Sequence, residues 1–229
     1  LSVAFTEAAD DSRVRVVVLA ATGPVFCSGH DLKEMTAART TADKGHEAYQ
    51  QLFAACASVM ELIVRNPKPV IAEVAGTATA AGCQLVASCD LAMASNTVKF
   101  ATPGVNLGLF CSTPMVALSR NVSRKHAMEM LLSGDMVDAS RAEQIGLINR
   151  AFNPDQLTSE TMAMALKIAS KSTMTIAIGK RAFYEQAEMP LNEAYAYTSQ
   201  VMTENMLTRD AEEGIGAFLG KRTPEWQDQ

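Results

Sequence analysis

The residues most able to do chemistry in this chain lie in two short stretches of small and polar side chains. The first is Val25-Phe26-Cys27-Ser28-Gly29-His30-Asp31-Leu32-Lys33-Glu34-Met35, and the second is Ala80-Ala81-Gly82-Cys83-Gln84. The second follows an apolar run, Pro69 to Ala75, and leads into a helical pattern from Cys83 to Ser88. Small residues at a strand-to-helix turn let a ligand approach the backbone, and the free N–H groups of a helix start favour negative charge. Such a turn suits a reaction in which an oxyanion develops. His30 is a side chain suited to proton transfer near neutral pH, with a ring that merely lines a pocket as the simpler role. Ser28, His30 and Asp31 include the residue types of a nucleophilic triad but stand too close in sequence to form its geometry readily. A carboxylate placed like Asp31 more often bonds nearby backbone N–H groups. Cys111 and Ser112 are nucleophile types with no activating base visible beside them.

Rigid elements must hold these stretches. Val14 to Ala20 is a nearly continuous apolar run ended by Thr22-Gly23-Pro24, which reads as a strand in a sheet covered on both faces. The polar, Ala- and Thr-rich stretch Thr36 to Asp43 is predicted to be the mobile segment. Gln51 to Arg65 carries apolar residues at helical spacing and is stopped by Pro67 and Pro69. Further strands are predicted at Val70–Ala75, Leu91–Ala94 and Leu147–Phe152, with helices at Thr113–Asn121 and Ser123–Leu132. Beyond Pro154 the pattern is helical: Leu166–Lys171, Thr175–Glu188, Leu191–Leu207 and Arg209–Leu219. Strand–helix units first and helices last predict an α/β core over residues 1–153 and a helical region over 154–229.

Composition narrows the classes. A chain of 229 residues with 48% hydrophobic and 20% charged residues has the make-up of a globular α/β protein with a sizeable core. A net charge of -5 and the absence of a long basic run argue against nucleic acid as a partner. Lys167, Lys171, Lys180 and Arg181 read as solvated helix faces. No apolar stretch reaches membrane-spanning length. The five cysteines are odd in number, lie in apolar surroundings and lack metal-type spacing, so they read as reduced, buried thiols with no metal site.

Taken with Gly82–Asp90 and Phe100–Pro114, the two opening stretches strongly resemble the crotonase superfamily of enoyl-CoA hydratases and isomerases, over essentially the whole chain. The resemblance implies a spiral of ββα units with a C-terminal helical region that forms a homotrimer or a dimer of trimers. It implies a CoA thioester as substrate or ligand, with no separate cofactor. The oxyanion hole is then the backbone N–H of His30 and of Ala81, where one good donor is worth about 3 kcal/mol. Cys27, Ser28, Gly29 and His30 are expected to meet CoA through backbone groups, and Lys33 to reach a phosphate. Phe218 and Lys221 match residues that complete a neighbouring subunit's CoA site. Relatives normally start with a strand pair before the helix at Leu1–Ala9, so the strands are expected to be missing here. The family implies the cytoplasm for a bacterial protein and the mitochondrial matrix for a eukaryotic one.

The departure from the family is in the acid/base pair. The positions matching Gln84 and Gly104 are both glutamates in the hydratases. An amide orients water but takes no proton at neutral pH, and glycine offers no side chain. Each missing acid/base group costs roughly 10²–10⁴ in rate, on the order of 5–11 kcal/mol for two if the losses multiply. Ordinary syn hydration is therefore expected to fail. Two classes of function remain: an enzyme on CoA thioesters using a different base, or an acyl-CoA binding or regulatory protein without turnover. Some relatives with Gly at the position of Gly104 recruit bicarbonate, which makes an exogenous base one form of the first class.

Overall fold

The computed structural model describes residues 1–229. Helix α1 (Ser2–Asp10) precedes a three-turn spiral. The first turn is β1 (Val17–Ala20), β2 (Val25–Cys27), α2 (Leu32–Ala38) and α3 (His46–Arg65). The second is β3 (Val70–Val74), β4 (Thr77–Thr79) and α4 (Ala81–Ser88). The third is β5 (Leu91–Ser95), β6 (Lys99–Ala101), a 3-10 turn (Pro103–Leu107), α5 (Pro114–Asn121) and α6 (Arg124–Ser133). After β7 (Val137–Asp138), α7 (Ala139–Gln144) and β8 (Arg150–Phe152) come four helices: α8 (Leu157–Ala169), α9 (Thr173–Gln186), α10 (Leu191–Met206) and α11 (Arg209–Leu219).

Each turn gives one strand to each of two sheets. One sheet has the order β1-β3-β5-β8, all parallel, and the other β2-β4-β6-β7, parallel except at β6–β7. This is the expected spiral of ββα units. The apolar run of β3 explains its central place. Val70, Ala72 and Val74 point into the main core with Ile63 and Phe100, whereas Ile71 points the other way, against Met93, Leu157 and Ala165. That alternation is the two-residue period of a strand buried on both faces, with α8 covering the second face.

Several expectations need correction. Lys180 is not a solvated helix residue. Its side chain is 7% exposed, and its ammonium group donates to Asp90 Oδ2 (2.6 Å), the Ile63 carbonyl (2.9 Å) and the Lys68 carbonyl (3.1 Å). Asp90 also accepts from the Val70 N–H at 2.7 Å and the Tyr184 hydroxyl at 2.9 Å, so the buried pair is fully hydrogen-bonded and clamps α9 to the sheet. The stretch Thr36–Asp43 completes α2 and then folds into a bonded turn. There Asp43 accepts from Thr41 Oγ1 and from the N–H groups of Gly45 and Glu47, which holds its carboxyl down at about 2. Val14–Val16 stay outside β1, and Leu147–Asn149 outside β8. Strands β2, β4 and β6, three residues each, carry too short an apolar pattern to be read from sequence.

Candidate active site

Those three short strands create the site. β2, β4 and β6 are adjacent and parallel, so the chain leaves all three at the same edge of the sheet. Ser28–His30 follows β2, Ala80–Ala81 follows β4, and Thr102–Gly104 follows β6. Ligands of α/β sheets gather outside such carboxyl ends.

The β2 and β4 exits touch. Gly29 has φ +96°, and a β-carbon built on it would stand 3.0 Å from Ala80 Cβ and 3.3 Å from the Ala81 nitrogen. Ala80 itself has φ 52° and ψ -119°, a conformation that costs a side-chain-bearing residue on the order of 1–3 kcal/mol. Hydrogen bonds hold it there: the Ala80 N–H donates to the Ala101 carbonyl (2.9 Å), and the Ala80 carbonyl accepts from the Gln84 N–H (3.0 Å). Ala81 opens α4, so its N–H has no partner within the helix. The His30 N–H donates to no acceptor in the chain. The two backbone donors singled out by the sequence are thus carried on abutting turns.

One face of α3 covers these turns. Phe53 meets the His30 ring edge-on, with centroids 5.7 Å apart at 71°. Three residues on, the Cys56 thiol lies 3.9 Å from Gln84 Oε1. Burial pushes the His30 pKa down, favouring the neutral ring, and Nε2 is enclosed without a hydrogen-bond partner. Gln84 is 4% exposed, and its side-chain NH₂ donates to no acceptor in the chain. Phe53 and Cys56 were absent from the sequence-based site. Their helical spacing marks them only as an apolar face, and what that face covers is a tertiary fact.

Gly104 is buried, and it does not leave a gap. A β-carbon there would stand 2.8 Å from the Leu109 carbonyl oxygen and 2.9 Å from Cys111 Sγ. The Gly104 N–H donates to that sulfur at 3.4 Å. Burial pushes the Cys111 thiol pKa up, and that of Cys83 up to about 12, so both remain protonated thiols. The space for an exogenous base that the missing side chain suggested is taken, at its start, by Leu109 and Cys111.

The remaining candidates are more dispersed. Asp31 caps α2, accepting from the N–H of Lys33 at 2.7 Å and of Glu34 at 3.4 Å. The Ser28 carbonyl accepts from Thr79 Oγ1 at 3.2 Å, tying the β2 exit to β4. Lys33 is exposed and forms no ion pair. Phe218 and Lys221 stand exposed at the end of α11, with no hydrogen bond to residues 27–33. All five cysteines are free, with Cys27 and Cys56 half-buried. No helix is long and apolar enough to cross a membrane.

A spiral of ββα units that feeds two mainly parallel sheets is the architecture of the crotonase fold. The chain belongs to the enoyl-CoA hydratase/isomerase family, whose profile matches residues 1–229. It is 50% identical over 218 residues to mouse mitochondrial enoyl-CoA hydratase domain-containing protein 3, covering 95% of this chain and 71% of the relative. The crystal structure of the human protein of that type superposes with a TM-score of 0.89 at 50% identity, covering 95% of this chain and 84% of the other. That of an enoyl-CoA hydratase from Mycobacterium smegmatis gives 0.92 at 53% identity, covering 97% and 85%.

Proposed function

We propose that the chain binds CoA thioesters and places the thioester oxygen between the N–H groups of His30 and Ala81. The observation that carries this reading is the abutment of Gly29 on Ala80 and Ala81, beside two unclaimed donors. Two fixed N–H dipoles in a partly closed site stabilise a developing oxyanion without being ionised. In this reading Cys27, Ser28, Gly29 and His30 follow the pantetheine through backbone groups. Lys33 meets a phosphate, and Phe218 and Lys221 reach the site of a neighbouring copy in a homotrimer or dimer of trimers. Residues 1–153, with α8 and the clamped α9 packed on their sheet, form the core, and the remaining C-terminal helices supply the association region. The vertebrate relatives are named as mitochondrial, and others belong to bacteria. A matrix protein in a eukaryote and a cytoplasmic one in a bacterium is the matching proposal.

Ordinary syn hydration is not part of this function. Gln84 has no basic lone pair of use, and Gly104 cannot be replaced by a side chain without moving Leu109. The neutral His30 ring and the protonated Cys111 thiol do not make up a glutamate pair. The test is crotonyl-CoA hydration measured beside thermal stabilisation by acetyl-, butyryl- and octanoyl-CoA. Stabilisation is expected with hydration below ordinary hydratase rates. Hydration at ordinary rates would sink the claim about Gln84 and Gly104, and no stabilisation by any thioester would sink the binding reading. Binding without turnover is the second reading, favoured by the filled space beside Gly104.

A further inference from the structure

The face of α3 that covers the paired turns carries a thiol, and a neutral imidazole packs on the same face. The Cys56 thiol lies 3.9 Å from Gln84 Oε1, its one hydrogen-bond partner in the chain. One turn earlier, Phe53 packs edge-on against the His30 ring, whose Nε2 is enclosed with no partner. Gln84 is 4% exposed, yet its NH₂ makes no bond and is not sealed off, so the amide faces open space. Cys83, Cys89 and Cys111 are buried, and the Cys27 β-carbon is pressed against Gly82, where an added β-carbon would stand 2.8 Å away. Cys56 is therefore the half-buried thiol directed to the site.

We propose that Cys56 takes the acyl group from a bound CoA thioester, with the His30 ring as the acceptor of its proton. The proposal rests on the CoA-thioester reading above and adds a covalent step to that site. The thiol proton passes to His30 Nε2, directly or across one water, and the sulfur bonds to the thioester carbonyl carbon. An electron pair of the carbonyl moves onto its oxygen, between the two backbone N–H groups, and returns as the bond from carbon to the CoA sulfur breaks. The CoA sulfur leaves with that bond's electron pair and takes the proton back from His30. One thioester replaces another, so no oxidant, reductant or second substrate is required. Attack of water on acyl-Cys56 then releases the carboxylic acid and restores the thiol.

The electrostatics of the site agree with this step. Burial, and then the neighbouring Cys27, push the Cys56 pKa up, so the group rests as a thiol and needs a base to become a nucleophile. His30 is held neutral by its own burial, and with its proton on Nδ1 it offers a free lone pair at Nε2. A carboxylate at position 84 would oppose a thiolate developing beside it, whereas the amide accepts from the thiol and adds no charge. No carbon–hydrogen bond of the acyl chain is broken, so the reaction does not call on glutamates at positions 84 and 104.

The experiment incubates the full chain with acetyl-CoA and butyryl-CoA and follows protein mass, free CoA and thermal stabilisation by the same thioesters. One acyl group per chain is expected, removed by neutral hydroxylamine and located on Cys56 by peptide mass spectrometry. Where hydrolysis outruns acylation, free CoA beyond one equivalent per chain is expected instead, and Cys56→Ala abolishes it. Either signal should slow about 10²-fold in His30→Gln, which keeps the backbone N–H and removes the base. The mapping on the unsubstituted chain carries the test even where a variant fails to fold. An acyl group on Cys27 or another cysteine, CoA release that survives in Cys56→Ala, or a rate that His30→Gln leaves unchanged overturns the proposal. So does the absence of both adduct and CoA release beside clear stabilisation, which leaves thioester binding standing. The absence of all three signals overturns the binding reading as well.

Discussion

A β-carbon on Gly82 would stand 1.9 Å from the carbonyl oxygen of Cys27. The start of α4 and the end of β2 are pressed together at that point, which is what sets the Ala81 N–H beside the His30 turn. Gly82→Ala forces these backbones apart. Overpacking of this severity costs about 3 kcal/mol, or roughly 6–12 °C in Tm for a domain of this size. Because the two donors separate, stabilisation by acetyl-CoA should disappear even below the lowered Tm. Calorimetry with and without acetyl-CoA checks both.

Gly104→Ala tests whether that position is filled. Its β-carbon meets the Leu109 carbonyl at 2.8 Å and Cys111 Sγ at 2.9 Å, and the expected loss is about 1–3 kcal/mol in urea unfolding. Adding Cys111→Ala removes one of the two obstacles. The double variant should be more stable than the sum of the single effects by about 0.5–1 kcal/mol. Strict additivity would mean that Cys111 does not occupy the space beside Gly104.

The Lys180–Asp90 pair should be costly to break from either side. The side chains are 7% and 15% exposed, and each single replacement strands a buried charge or donor set. Lys180→Met and Asp90→Asn should each lose about 3–5 kcal/mol in denaturant melts, and the double replacement should lose less than their sum. Loss of less than 1 kcal/mol in both single variants would place Lys180 back among the solvated lysines.

His30 predicts an acid-side loss of stability. Burial lowers its folded pKa below the ordinary 6.5, so the unfolded chain binds more protons between the two values. Stability from this group is fully present above 6.5 and falls as pH drops toward the lowered folded value. A histidine NMR titration should show the His30 ring shifting with a midpoint below 6.5, and His30→Gln should flatten that part of the stability profile. A midpoint above 6.5 would contradict the enclosed, neutral ring.

Much of this was legible in the residues themselves. The apolar run of β3, the helical spacing of α3 and the proline stops after it gave those elements with small errors at their ends, because burial on one or two faces imposes a period that composition displays. Gly29-His30 and Ala80-Ala81-Gly82 were visible as turns made for close backbone approach. The burial of Lys180 escapes the sequence for a physical reason. A lysine on a helix is solvated unless a distant carboxylate and two carbonyls converge on it, and the sequence does not show that convergence.

By itself, then, the sequence determined the strand–helix order and the chemical character of Gln84 and Gly104. Those are properties of side chains and local periodicity. Tertiary structure alone decided that three strands of three residues lie parallel and adjacent, so that turns some 50 and 20 residues apart in order open at one sheet edge. Such pairing is long-range, and no three-residue apolar pattern can specify its partner. Packing also decided that Gly104 marks a filled space rather than a vacant one, because Leu109 and Cys111 return across it.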